Sequence, residues 1–159
     1  MKVTAADPGV DTAALLTGAQ FADAFSVTIT GHAINARQAA ERMMTRGPRW
    51  IERLLALRNA LVAPFGLKAT GAVGAGRSDT IGIFPVVSDT PARLVAGFND
   101  KHLDFRVVVD VVPSGPGQRV TATTLVLTHN WLGRTYLAII LPFHRLVART
   151  MLRQVVEKQ

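Results

Sequence analysis

LDFRVVVDVV, residues 103–112, decides the fold. Leu103, Phe105, Val107 and Val109 alternate with Asp104, Arg106 and Asp110. Successive side chains of a strand point to opposite faces, so this alternation describes a strand with an apolar face against a core and a charged face outward. Working outward, Ile81–Val87, Ala92–Phe98 and Arg119–Thr128 repeat the same period. The turn-forming stretches Ser88–Pro91, Asn99–Asp100 and Pro113–Gly117 separate these runs. Connections this short join antiparallel neighbours, because a parallel crossover needs a dozen or more residues.

A sheet with one apolar face needs a cover. The last segment supplies it. Asn130 can cap a helix from Trp131 to about Glu157, in which Leu132, Tyr136, Ile139, Phe143 and Leu146 recur at helical spacing, broadened by Ile140 and Val147. At 1.5 Å per residue such a helix spans roughly 40 Å and must run along the whole sheet. Pro142 lacks an N–H and is expected to bend it. Upstream, Phe25, Val27 and Ile29 alternate with Ser26, Thr28 and Thr30 as a first strand. Two shorter helices follow. The first runs from Ala36 to Arg46 after an Asn35 cap. The second starts near Pro48 and carries Trp50, Leu54, Leu57 and Leu61 as its stripe, widened by Ile51, Leu55 and Val62. Pro64 and Gly66 stop it. The expected architecture is α+β: a curved antiparallel sheet of about five to seven strands, wrapped around a long, proline-bent C-terminal helix. Residues 1–20 are expected to be a weakly ordered N-terminal segment with one short turn, and residues 21–159 a single domain.

The order of elements resembles the START-like, or helix-grip, superfamily. A closer resemblance is to a bacterial family known as a domain of unknown function (DUF 2867). It is carried by Phe21–Phe25, Pro48-Arg49-Trp50, Leu57-Arg58-Asn59, Pro64-Phe65-Gly66, Gly82–Val86, His102–Arg106, Thr128-His129-Asn130 and Ile140–His144. The superfamily implies a cavity between sheet and long helix that takes a hydrophobic ligand; the family itself brings no reaction.

Composition narrows the function. Of 159 residues, 48% are hydrophobic and 18% charged, a balance that excludes a disordered chain. With no cysteine there is no disulfide, thiol nucleophile or zinc–thiolate site, and a reducing cytoplasm is the expected setting. The longest apolar run, Tyr136–Phe143, is far short of the roughly 20 residues that span a bilayer. The net charge of +7 permits attraction to acidic partners. The arginines sit on helices, however, and aromatic residues are too few to make a base-stacking platform, so no nucleic-acid partner is expected.

The cavity is the leading site, with Phe25, Val27, Phe105, Val107, Tyr136, Ile140 and Phe143 as its lining. A filled core would use the same residues, and the sequence leaves that alternative open. Two registers of the last hairpin are also open. Pairing Phe105 with Val126 points Thr124 and Thr128 inward. Pairing it with Leu127 points Thr123 and His129 inward, since a slip of one residue turns every side chain over. The second places Leu125 and Leu127 in the core and is the expected one, so His129 joins the candidate ligand-binding residues. His102, Asp104 and Arg106 share the outer strand face and read as ion-pair partners rather than a catalytic cluster. Four histidines without helical pair spacing make no metal site, and no nucleophile elbow is present. The glycine-rich Gly71–Ser78 segment lacks the lysine and following helix of a phosphate loop. Trp50 and Trp131 are expected to pack at helix starts. The arginine series Arg134, Arg145, Arg149 and Arg153 is expected to be a solvated face, because the sheet takes the apolar side of that helix. These readings give a binding module for a small hydrophobic or amphipathic molecule, with no cofactor. The alternatives are an enzyme of cyclase or hydrolase type in the same cavity, or a basic interaction or membrane-surface domain.

Overall fold

The structure is a computed structural model that describes residues 2–10, 12–45, 47–65, 79–82 and 84–156. The expectations for Gly71–Ser78, Arg46 and Glu157 lie outside the described residues.

Seven strands form one open antiparallel sheet in the order β1-β2-β7-β6-β5-β4-β3. They are β1 (Thr4–Ala6), β2 (Phe21–Ile29), β3 (Thr80–Ile81), β4 (Phe84–Asp89), β5 (Arg93–Asn99), β6 (Leu103–Ser114) and β7 (Gly117–Thr128). The helices are α1 (Thr12–Leu15), α2 (Ala36–Thr45), α3 (Arg49–Val62) and α4 (Trp131–Arg153). The expected α+β class and long C-terminal helix are present, and the arrangement is consistent with a helix grip. β2 lies beside β7, so the first long strand and the last are neighbours, and α2 and α3 are inserted between β2 and the β3–β7 meander.

Local chemistry explains the boundaries. Asn35 and Gln38 cap α2 reciprocally: Asn35 Oδ1 accepts from Gln38 N at 2.8 Å, and Gln38 Oε1 accepts from Asn35 N at 3.0 Å, satisfying two donors at the helix start. Pro48 is the N-cap of α3, extended at φ −64° and ψ 152°. Asn130 Oδ1 caps α4 by accepting from Gly133 N at 3.0 Å. The single run Ile81–Val87 becomes two strands. Gly82 stands at φ +58°, a left-handed conformation that glycine adopts without penalty, and there the chain doubles back so that Ile81 pairs with Phe84.

The sheet is covered on both faces. On the helix side, Phe25, Val27 and Ile29 of β2, Leu94 and Ala96 of β5, and Val107 and Val109 of β6 pack under Ala36, Ala39, Ala40 and Met43 of α2. Leu152 and Val155 at the end of the chain close the same core. On the outer side, Val95, Val108 and Leu125 are buried with Leu16, and Leu15, Val10 and Ala19 pack alongside. This second cover explains why Val107, Val108 and Val109 are all buried in a strand whose flanks alternate. Within the first 20 residues, β1 also pairs with β2, setting Ala5 opposite Phe25.

Beyond that cover, the outer face carries charge. Arg93 and Asp110 form a two-pronged pair at 2.5 and 3.2 Å across β5 and β6. Arg37 of α2 reaches Asp79 at 2.8 Å and Asp89 at 2.6 Å, tying the helix to the β4 end of the sheet. Hydrogen bonds to those two carboxylates, Asp79 first, hold the Arg37 guanidinium protonated well above its ordinary range, and the hydrogen bond to Asp110 raises that of Arg93.

Candidate functional site

The last hairpin adopts the register that pairs Phe105 with Val126, not Leu127. Thr124 and Thr128 therefore turn to the helix side and are buried, while Leu125 faces the outer cluster. The expectation that His129 reaches the inner end of the sheet is corrected. Its ring is 38% exposed and its Nε2 lies 3.0 Å from Asp104 Oδ1, on the charged outer face. The reason is the outer cover. The expected register places Leu125 and Leu127 in the core, but Leu15 and Leu16 cover Leu125 and Leu127 from the other side. Asp104 thus has the His129 ring as its partner on that face. Its neighbour Arg106 donates to the Phe98 and Phe105 carbonyls.

The helix-side core does not fill the space beneath the whole of α4. Ala148, Met151 and Leu152 pack onto the core, whereas Ile139, Phe143 and Leu146 are more than half exposed. Between the first half of α4, α3 and the β4–β6 end of the sheet lies a pocket of about 420 Å³. Its floor is Leu103 with three phenylalanines. Phe84 and Phe105 stack at 5.1 Å between ring centroids, and Phe98 completes the trio at 5.8 Å from Phe105 and 6.1 Å from Phe84. Ile51, Leu54, Leu55 and Leu57 of α3 form one wall; Tyr136, Ile139, Ile140, Phe143, His144 and Val147 of α4 form the other. Leu57, Ile139 and Phe143 are exposed and stand at the mouth.

Of the eight residues singled out from the sequence, Phe105, Tyr136, Ile140 and Phe143 line this pocket. Phe25, Val27 and Val107 are deep in the adjoining core, and His129 is on the opposite face. The core and the pocket share β6 but divide it: Val107 and Val109 belong to the filled part, Leu103 and Phe105 to the open end. Sequence reasoning did not place Phe84, Phe98, the α3 residues or His144 in the lining. A signal was present for His144, which follows Ile140 by four residues and precedes Val147 by three, hence shares their helix face.

Gly133 sets the height of the α4 wall. A Cβ there would lie 2.1 Å from the carbonyl oxygen of His102, so the first turn of α4 sits directly on the start of β6. Asn130 reinforces the seat, its Nδ2 lying 2.8 Å from His102 Nδ1. Trp131 is two residues from Gly133, on the opposite side of the helix, and is 69% exposed rather than packed. Likewise, the sheet occupies the apolar side of α4 only in its second half.

Two ionisable residues stand behind the pocket. His144 Nε2 lies 3.2 Å from Asp23 Oδ1, and both side chains are about four-fifths buried, at 18% and 19% exposure. Phe21 meets the imidazole edge to face, with centroids 6.0 Å apart. Among the described residues no group of three His, Asp or Glu is placed to hold a metal ion, and no helix is long and apolar enough to cross a membrane.

These features define a class: an α+β domain whose open antiparallel sheet and C-terminal helix leave an apolar pocket at one end. The chain belongs to the family described as protein of unknown function (DUF2867), whose model matches residues 15–151. No curated protein and no solved structure matches it significantly.

Proposed function

We propose that the protein binds a small hydrophobic or amphipathic molecule in the pocket between α3, α4 and the Phe84–Phe98–Phe105 floor. One observation carries this reading. The pocket, about 420 Å³, falls within the roughly 300–1,000 Å³ range of small-molecule sites, and nearly all its lining is apolar. A purely structural face would bury Ile139 and Phe143 rather than leave them half out of contact at a mouth. The START-like likeness of the sequence supports the same reading. The test is titration with a neutral solvatochromic dye such as Nile red. Binding should be saturable and should fall at least about ten-fold in Ile140→Glu, which sets a charge against the apolar wall. Unchanged dye affinity in a folded Ile140→Glu protein would refute the proposal.

A second reading, contact with an anionic lipid surface, is favoured by the exposure of Trp131, Ile139, Phe143 and Leu146 on the helix that also exposes Arg134, Arg145 and Arg149. Co-sedimentation with vesicles containing phosphatidylserine, lost on Phe143→Glu, is its expected outcome. Equal recovery with neutral vesicles would dismiss it.

A further inference from the structure

Among the described residues, a histidine–carboxylate pair backs the apolar pocket, and its geometry narrows the ligand. We infer that His144, held by Asp23, is a hydrogen-bond acceptor for a hydroxyl group on an otherwise apolar ligand. This rests on the pocket reading above.

A carboxylate oxygen can only accept, so the 3.2 Å contact to Asp23 places a hydrogen on His144 Nε2. In the neutral ring that fixes the tautomer and leaves Nδ1 with a free lone pair. No described residue hydrogen-bonds Nδ1. The tautomer is firmly set because Asp23 has no other hydrogen-bond donor among the described residues: its Oδ2 is buried and unpartnered. Turning the imidazole away would strand a buried carboxylate, which is costly. Phe21, standing edge-on to the ring, closes off a second side.

The chemistry of the group it would take follows by elimination. A carboxylate or phosphate ligand would meet the charge of Asp23 just behind the imidazole. An ammonium, though attracted by that same charge, would lose its hydration among Ile140, Phe143 and Val147 with Nδ1 as its one acceptor. A neutral hydroxyl needs one acceptor and leaves no buried charge. The ligand class is therefore a long or polycyclic alcohol, its apolar body on the phenylalanine floor and its hydroxyl at His144. His144 is the contacting residue and Asp23 a positioning residue.

The experiment is displacement of Nile red at about pH 8, above the ordinary imidazole range, by dodecanol, dodecyl methyl ether and dodecanoate. The wild type should bind dodecanol about five-fold tighter than the ether, the worth of one net hydrogen bond, and dodecanoate most weakly. His144→Phe, read as the ratio of alcohol to ether affinity within that variant and made both alone and with Asp23→Leu so that no buried carboxylate is stranded, should lose the alcohol preference. Asp23→Leu should lose the preference with His144 intact, and Asp23→Asn, which retains an acceptor for Nε2–H, should restore much of it. Nitrogen-detected NMR of the His144 ring should show the Nε2–H tautomer in the wild type and a mixture in Asp23→Leu. An equal affinity for alcohol and ether, a preference surviving His144→Phe, dodecanoate binding tightest, or an Nδ1–H ring would each overturn the inference while leaving the pocket reading standing. Failure of every probe to bind would remove both.

Discussion

Gly133→Ala tests how the pocket wall is seated. In an ordinary helix this change stabilises, by roughly 0.4–1 kcal/mol, since alanine loses less freedom on folding than glycine. Here the added methyl would sit 2.1 Å from the His102 carbonyl oxygen and 3.1 Å from its carbon. Optimal contact lies near 3.5 Å, so the helix start must lift by more than about 1 Å. The obstacle is backbone, which cannot rotate aside. Lifting the turn also stretches the Asn130 contact to His102 and the His129 N–H bond to the His102 carbonyl, 2.9 Å long. Over-packing of this kind costs about 1–3 kcal/mol and exceeds the propensity gain, so the sign reverses. Net of that gain roughly 1–2 kcal/mol remains, and with a urea slope of about 2 kcal/mol/M the unfolding midpoint should fall by roughly 0.5–1 M. Gly9→Ala, which meets nothing within 4 Å, is the control and should leave the midpoint unchanged. Dye affinity should fall with stability, because Tyr136 and Ile140 rise with the turn. A midpoint equal to or above wild type would mean that α4 does not rest on β6 as described.

Further outcomes are expected. Asn130→Ala removes the acceptor for Gly133 N–H and should cost about 1 kcal/mol by chemical denaturation. Leu16→Ala opens the outer cluster under Val95, Val108 and Leu125; it should cost about 2–4 kcal/mol while leaving dye affinity unchanged, since the pocket is on the other face. Phe98→Ala should do the reverse in emphasis, weakening dye binding several-fold with a smaller loss of stability, because Phe98 is only partly buried. Arg37→Ala should shift stability by no more than about 1 kcal/mol, its partners Asp79 and Asp89 being well exposed and the pair screened by salt.

The sequence carried the fold where periodicity was strong. Alternation in Leu103–Asp110 and helical spacing from Tyr136 to Val147 each identified an element and its buried side. Where two solutions buried equal apolar area, it did not discriminate. Leu125 and Leu127 call for a cover, and only tertiary contact shows that Leu15 and Leu16 provide it; that choice fixed the register and sent His129 outward. The site was half legible for a related reason. Phe25 and Phe105 have the same pattern in one dimension, yet one is core and the other pocket floor, because the difference lies in how far α4 stands from the sheet at each end. The contact between Asp23 and His144 spans 121 positions and has no local trace.

That difference between the two ends of α4 can itself be traced to sequence. From Ala148 onward the residues packed on the core are small or flexible, Ala148 and Met151, and the helix settles onto the same core as Phe25, with Leu152 completely buried. Up to and just past Pro142 the wall is built from Tyr136, Ile139, Ile140 and Phe143, too bulky to approach a floor that already holds three phenylalanine rings. Only Gly133, with no side chain, makes close contact again. The helix therefore touches the sheet at its first turn and from Ala148 onward, and stands off between. Pro142 lies within the standing-off stretch and offers no N–H to the carbonyl of Ala138, so that stretch lacks one helical bond. Bulk between two close contacts props the helix off the floor, and His144, just past the proline, reaches from that stretch into the pocket.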